Sequence, residues 1–146
     1  MGIPFNTVLV GADDSQTARQ AVTVAADLAK LLGATLHIVT AYDPKSVRIE
    51  DLPSEFRLST NVHPADILLD SLSAIATRRG VEVAVHPTTE GPVDGIVHIA
   101  EAVGADLIVV GNRGMKGARR VLGSIPNSVA HGAHCSVLIV DTEAAQ

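Results

Sequence analysis

Residues 105–124 read ADLIVVGNRGMKGARRVLGS. The apolar run LIVV predicts a buried β-strand that stops at Gly111, and Gly114 and Gly123 follow it. Glycine lets backbone N–H groups approach an anion closely, and a helix start adds unpaired N–H groups and partial positive charge. Because a strand, a glycine-rich loop and a helix start together are typical of phosphate sites in α/β proteins, the stretch predicts a site for a phosphorylated small molecule.

Four cations lie in the same stretch: Arg113, Lys116, Arg119 and Arg120. The whole chain has a formal net charge of −5, so this cluster is a local feature of an acidic protein. It favours a discrete anion site, although the same side chains would also suit a solvated face. Ser124 is predicted to cap the helix that follows, and its hydroxyl could equally contact phosphate.

Composition limits the class of protein. With 146 residues, 47% of them hydrophobic, the chain is predicted to form one compact domain over residues 1–146. Aromatic residues make up only 2%, and together with the negative charge this argues against a nucleic-acid surface. No apolar run approaches the roughly 20 residues of a membrane helix. The single cysteine, Cys135, excludes an intrachain disulfide, so we expect a cytoplasmic protein without a membrane partner.

Five short apolar segments predict strands, and helical patterns separate them. The strands are predicted at 7–10, 35–40, 81–86, 107–110 and 136–140. Helices are predicted to run from Ser15 to Gly33, to span about 64–79, to begin near Pro92 and to follow Ser124. This alternation predicts an α/β fold, an open parallel sheet with helices on both faces. Ligands of such sheets bind beyond the carboxyl ends of the strands, where Gly11 and Gly111 are the natural flanking pair.

Spacing of three and four residues predicts an apolar face on each of the first two helices. In the first helix this face comprises Ala18, Ala21, Val22, Ala25, Leu28, Ala29 and Leu32. In the second it comprises Ile67, Leu68, Ser71, Leu72 and Ile75. Residues 42–63 lack a clear period and predict a long excursion of the kind that is usually functional or disordered.

These motifs resemble those of the nucleotide-binding branch of the universal stress protein family, over essentially the whole chain. The family pattern at the phosphate loop is Gly, two residues, Gly, nine residues, and then Gly-Ser or Gly-Thr. Gly111, Gly114 and Gly123 match it, except that eight residues rather than nine separate the last two. The segments GADDS at 11–15 and EGP at 90–92 resemble two further family elements.

The resemblance implies the strand order 3-2-1-4-5 and an adenine nucleotide as the ligand. ATP is the expected nucleotide, with or without Mg²⁺, and cyclic AMP is the alternative. By this resemblance Asp13 lies by the adenine or the ribose, and Ala41 lies near the adenine through its backbone. The phosphates and the ribose are then surrounded by Gly111, Gly114, Gly123, Ser124 and Ile125.

Three functions are compatible with these residues. The first is a non-catalytic nucleotide-binding sensor or switch that acts on an unidentified protein partner. The second is a slow ATPase, but hydrolysis requires a group that orients water, and the sequence offers no convincing one. The third is a dimeric interaction module without nucleotide. A metal site at His131, His134 and Cys135 is not expected, because a second cysteine is lacking and Cys135 is interpreted as a structural thiol.

The C-terminal strand predicts a homodimer interface. In the implied strand order, residues 136–141 form a sheet edge, and the run VLIV is apolar on both faces. No proline or inward-pointing charge protects this edge against pairing with another chain.

Overall fold

In a computed structural model, the described residues are 5–13, 15–43, 64–112 and 124–142. Strands and helices alternate throughout this part of the chain. The strands are β1 (Thr7–Gly11), β2 (Thr35–Ala41), β3 (Val83–Thr88), β4 (Leu107–Gly111) and β5 (Ser136–Val140). The helices are α1 (Gln16–Leu32), α2 (Pro64–Thr77), α3 (Pro92–Val103) and α4 (Ile125–Gly132).

The sheet has the order β3-β2-β1-β4-β5, and every neighbouring pair of strands is parallel. This confirms the predicted fold class and strand order. The continuous apolar character of the strands follows from burial on both faces, as is usual for parallel sheets.

Two apolar cores lie on opposite faces of the sheet. Successive strand residues point to opposite faces, so Val8 and Val10 pack with the inner faces of α1 and α2. Leu9 points the other way and packs with Ile96 of α3 and Val129 of α4. The helices therefore cover both faces, as expected.

The predicted ends of α1 are confirmed by the capping contacts. Ser15 is the N-cap, and its Oγ accepts a hydrogen bond from the backbone N of Ala18 at 3.1 Å. Gly33 ends the helix with φ of 65°, a left-handed conformation that glycine adopts without strain.

The largest differences from the predicted boundaries are in β3 and α2. β3 begins two residues later than expected and runs through Pro87, where the sequence predicted a stop. The reason is that β3 is an edge strand and Pro87 faces outward, because Glu82 and Thr88 direct their carbonyls to β2. Proline is tolerated where its missing N–H would point to solvent. α2 ends at Thr77, before the turn at Gly80.

The predicted inner face of α1 is largely confirmed, whereas that of α2 is rotated from the predicted one. α1 buries Ala18, Ala21, Val22, Ala25 and Ala29 as predicted, and Leu32 is 37% exposed at its last turn. In α2 the fully covered positions are Ala65, Leu69, Leu72 and Ala76. Ala65 and Ala76 were missed in α2 because the predicted face was built mainly on its larger apolar residues.

Candidate functional site

The carboxyl ends of β1 and β4 form the point at which the sheet order reverses. The chain leaves β1 for β2 and β3 on one side, and it continues to β4 and β5 on the other. Gly11 ends β1 here, and a Cβ at this residue would overlap Cδ1 of Ile96 and lie 3.0 Å from its Cγ1. Glycine therefore lets α3 pack directly against the end of β1.

A cleft of about 380 Å³ opens at this reversal point. Its volume lies within the roughly 300–1,000 Å³ that is typical of small-molecule sites. The walls come from the ends of β1, β2 and β4 and from the first turns of three helices. The described lining residues are Gly11, Ala12, Asp13, Ser15, Thr17, Ala18, Val39, Ala41, Pro92, Ile96, Val110, Gly111, Ile125 and Pro126.

Three helix N-termini meet at this cleft. Ser15 and Thr17 bring the start of α1, Pro92 brings the start of α3, and Ile125 brings the start of α4. The first N–H groups of a helix have no partner within the helix and carry partial positive charge. The cleft therefore presents a favourable electrostatic environment to an anion.

The start of α4 is formed as the sequence predicted. Ser124 is the N-cap, with φ of −63° and ψ of 151°, and its Oγ accepts a hydrogen bond from the backbone N of Asn127 at 3.4 Å. Pro126 occupies the first turn, where its missing N–H costs no helix hydrogen bond.

Asp13 supplies a carboxylate to the lining of the cleft. Its Oδ1 accepts a hydrogen bond from the backbone N of Ser15 at 2.8 Å, which fixes the turn between β1 and α1. A carboxylate accepts hydrogen bonds, so Asp13 is the kind of group that can contact ligand hydroxyl or amino groups.

The floor and one wall of the cleft are apolar. Val39, Ile96 and Val110 line it, and each is at most 4% exposed. Thr40 donates a hydrogen bond from Oγ1 to the carbonyl of Ala12 at 3.1 Å, which ties the end of β2 to the loop after β1. The cleft thus combines a rigid apolar surface, suited to a flat ring, with a polar rim.

The structure brings together five of the predicted site residues. Gly11, Asp13, Ala41, Gly111 and Ile125 line the cleft. Ser124 lies one residue before Ile125 as the N-cap of α4. The remaining predicted residues lie outside the described part of the chain: Arg113, Gly114, Lys116, Arg119, Arg120 and Gly123.

Sequence reasoning missed several lining residues. Val39 and Val110 fall within the predicted strands 35–40 and 107–110, and Thr17 and Pro92 fall at predicted helix starts, so the sequence marks none of them as part of a site. The signal that could have found them is position, since each lies within a few residues of the carboxyl end of a strand or of the helix start that follows a strand.

Cys135 and the nearby histidines show no sign of a reactive centre. Burial, and then the negative charge of Asp106, raise the pKa of the Cys135 thiol, which keeps it protonated near neutral pH. His134 pairs instead with Glu101, with Nε2 and Oε1 2.7 Å apart. Within residues 5–13, 15–43, 64–112 and 124–142, no group of three or more histidine, cysteine or acidic side chains is placed to hold a metal ion.

Among the helices that the structure describes, none is long and apolar enough to cross a membrane.

Comparison with known proteins identifies a family. The model of the universal stress protein family matches residues 4–141. A universal stress protein of Mycobacterium tuberculosis is 35% identical over 143 residues, which cover 94% of this chain and 97% of the relative. A putative universal stress protein of Staphylococcus aureus is 29% identical over 144 residues, which cover 97% of this chain and 87% of the relative.

Solved structures of other proteins share the fold of this chain. A universal stress protein crystallised in complex with cAMP superposes with a TM-score of 0.78 at 34% identity, covering 94% of this chain and 98% of that one. A universal stress protein of Archaeoglobus fulgidus in complex with dAMP gives a TM-score of 0.68 at 23% identity and covers 95% of this chain. At that identity the second likeness concerns the fold alone.

Proposed function

Because the chain belongs to the universal stress protein family, we propose that its cleft binds an adenine nucleotide and that the protein acts as a non-catalytic sensor or switch in a stress response. The observation that carries the proposal is the convergence of three helix N-termini on one cleft with an apolar floor. The helix ends suit phosphate and the floor suits a purine ring, so one site offers both halves of a nucleotide their preferred surroundings.

In the proposed complex the polar rim would hold the ribose. Asp13 lines the cleft at the start of α1, and its carboxylate would accept hydrogen bonds from ribose hydroxyls or from the adenine amino group. Ala41 ends β2 at the same edge of the sheet and would contact the adenine through its backbone. Gly111, Ser124 and Ile125 would then border the phosphates, together with Gly114 and Gly123 of the loop.

ATP is the nucleotide that the family resemblance favours, and the cations at 113–120 would balance its phosphate charge. If Mg²⁺ accompanies ATP, Asp13 is the described lining residue with oxygen ligands suited to it, through bridging water. Cyclic AMP is the second candidate. It is favoured by the 34% identical universal stress protein that was crystallised with cAMP.

The lining favours binding over hydrolysis. Among the described residues of the cleft, Asp13 is the only ionisable side chain, and it already accepts the backbone N–H of Ser15. Phosphoryl transfer to water needs a group that orients the water and further stabilisation of developing charge. We therefore infer that ATP hydrolysis is negligible or slow, which a steady-state phosphate-release assay with Mg²⁺ would test.

The proposed switch acts through contacts with other chains. We propose a homodimer interface along residues 136–141 and a surface for an unidentified protein partner that changes with the loop 111–123. A cytoplasmic location belongs to the same proposal, because the single cysteine is compatible with a reducing compartment. If no nucleotide binds, the chain would instead be a dimeric interaction module.

Calorimetric titration of the full chain with ATP, cyclic AMP and adenosine tests the nucleotide proposal. We expect at least one nucleotide to bind. The Asp13→Ala substitution should lower the affinity for that nucleotide about 10- to 100-fold, the effect of losing a hydrogen bond to a charged group. Asp27→Ala is the matched control, because Asp27 pairs with Arg79 on the outer side of α1 and lies outside the cleft lining. Failure of all three compounds to bind the folded parent would contradict the proposal.

A further inference from the structure

Two histidines lie side by side on one face of the sheet, outside the cleft lining. His37 of β2 pairs in register with Ala84 of β3, and Val39 pairs with His86. The two histidines therefore occupy diagonal positions on neighbouring strands and point to the same face. Diagonal neighbours of this kind are close enough for long side chains to meet.

The two imidazoles are in direct contact. Nδ1 of His37 lies 2.8 Å from Nε2 of His86, and the ring centroids are 5.1 Å apart with the planes inclined by 24°. Both residues are only partly buried, so water and small ions can reach them. At this distance one nitrogen donates a proton to the lone pair of the other.

The surroundings keep both rings in the form that binds metal. Burial lowers the pKa of His37 and His86, and the neighbouring His86 lowers that of His37 further. Both rings are therefore neutral near pH 7 and offer lone pairs, which is the state that coordinates cations. Glu82 acts in the opposite direction on His37, because its carboxylate favours positive charge nearby. That same carboxylate would attract a metal cation.

We propose that His37 and His86 form a two-imidazole site for a borderline divalent transition-metal cation, with Cu²⁺ or Ni²⁺ preferred. Imidazole is a preferred ligand of these metals. When the metal binds, the proton shared by the two rings moves to the other nitrogen of its own ring. Both contacting nitrogens then present a lone pair, and the two neutral rings release no net proton.

The nitrogen separation is compatible with two neighbouring positions around one metal ion. Two nitrogens 2.8 Å apart subtend about 90° at a metal when each bond is about 2.0–2.1 Å. That angle is compatible with neighbouring ligands in the square-planar or tetragonal geometry that Cu²⁺ and Ni²⁺ prefer. To bind the metal, each ring would rotate from this hydrogen-bonded arrangement until both lone pairs point to the common position.

The site is open rather than fully enclosed by protein. Among the described residues, no third histidine, cysteine or carboxylate joins the pair within ligand distance. Water would therefore fill the remaining positions, with Glu82, which directly precedes β3, contributing negative charge nearby. The pair lies outside the lining of the cleft, so the inference does not depend on nucleotide binding.

Titration of the full chain with Cu²⁺ alone tests this proposal, with electron paramagnetic resonance of the bound ion as the readout. We expect one tight equivalent with tetragonal symmetry and coupling to two imidazole nitrogens. His37→Gln and His86→Gln should each weaken this binding by at least about tenfold, since even loss of an outer-shell partner has that effect. His131→Gln is the matched control, because His131 is exposed at the end of α4. This variant should bind Cu²⁺ with the affinity of the parent.

Two results would overturn the proposal. One is a spectrum of the parent with fewer than two coordinated imidazoles, which does not depend on how any variant folds. The other is Cu²⁺ binding by folded His37→Gln and His86→Gln proteins that equals that of the parent. Circular dichroism of each variant establishes that the comparison is between folded proteins.

Discussion

Thr142 donates two hydrogen bonds to the side-chain Oδ1 of Asn112, one from its backbone N and one from its Oγ1, each 3.2 Å long. Both residues are buried. The Nδ2 of Asn112 donates to Asp141 at 3.0 Å, and its backbone N donates to Val140 at 2.9 Å. Asn112 follows Gly111 directly, so the beginning of the glycine-rich loop is attached to the segment that follows β5.

Asn112→Ala is expected to destabilise the fold and to loosen this attachment. The substitution leaves the buried N–H and hydroxyl of Thr142 without their acceptor, which costs about 1–3 kcal/mol of unfolding free energy. Urea unfolding measures the loss. Thr142→Ser is the control, since it keeps both donors and removes only a methyl group. A change below about 0.5 kcal/mol for Asn112→Ala, the size of an ordinary surface substitution, would mean that the contact contributes little.

A methyl group at Gly11 is expected to damage the cleft. In Gly11→Ala the new Cβ overlaps Cδ1 of Ile96, so that the Ile96 side chain has to change rotamer or α3 has to shift away from the end of β1. We expect a loss of about 1–3 kcal/mol in stability, as is typical of overpacking, together with weaker nucleotide binding.

Gly132→Ala is the matched control for Gly11→Ala. A Cβ at residue 132 would meet Val97 at 3.6 Å, which is an ordinary van der Waals contact. This variant should be as stable as the parent and should bind nucleotide normally. Equal melting temperatures for the two variants would show that Ile96 accommodates a side chain at residue 11.

The loop cations are expected to discriminate between nucleotides by charge. Lys116, Arg119 and Arg120 lie outside the described residues, so this prediction comes from the sequence alone. Replacing each of them by alanine should lower the affinity for ATP about tenfold, which is the effect of losing one charge-assisted contact. The affinity for adenosine should stay unchanged. Titration with both compounds measures the difference. Equal losses for ATP and adenosine would indicate a change in the cleft itself rather than in phosphate contacts.

Most of the fold was predictable from the sequence because short-range signals and long-range packing agree. The strand LIVV before Gly111, the Ser15 cap and the Gly33 stop each have a local cause that the structure retains. β3 was misjudged because Pro87 is a strand breaker only where its N–H is needed. That condition depends on the sheet order, which lies beyond any local pattern.

The candidate site was predictable where glycine or a charged group marks a strand end. Gly11, Asp13 and Gly111 carry such marks and line the cleft. Val39 and Ile96 carry none, because an apolar residue at the rim of a cleft looks the same in sequence as one in the core. The contact between His37 and His86 also escaped, since the two residues are 49 positions apart and only the parallel register of β2 and β3 brings them together.

Stability is expected to fall as the pH falls below about 6.5, the ordinary histidine pKa. The folded-state pKa values of His37 and His86 are lowered, chiefly by burial, so the unfolded chain takes up protons first. The neutral His37–His86 pair therefore makes its full contribution to the free energy of unfolding above the unfolded-state pKa. That contribution is lost as the pH falls through the folded-state pKa values. Urea midpoints measured across this range should decline less steeply in a His37→Gln, His86→Gln double variant. Identical slopes for parent and double variant would contradict this linkage.

The two edges of the sheet differ in a way that bears on self-association. Pro87 interrupts the outward donors of β3, whereas β5 has neither proline nor charge within Ser136–Val140. The backbone N of Asn112 donates to the carbonyl of Val140, which shows that Val140 faces β4. The N–H and C=O of a residue in a parallel strand point to the same side, and successive residues alternate. Ile139 therefore directs its N–H outward, toward the position of a second chain.

Ile139→Pro is expected to dissociate a homodimer while leaving the fold of each chain intact. The substitution removes an outward donor that no strand of the same chain uses, and proline is tolerated on edge strands. Leu138→Pro is the informative contrast, because residue 138 faces β4 and its loss should destabilise the sheet itself. Light scattering at micromolar concentration, combined with thermal unfolding, separates the two effects. A parent that is monomeric under these conditions, or an Ile139→Pro variant that still dimerises fully, would exclude β5 as the interface.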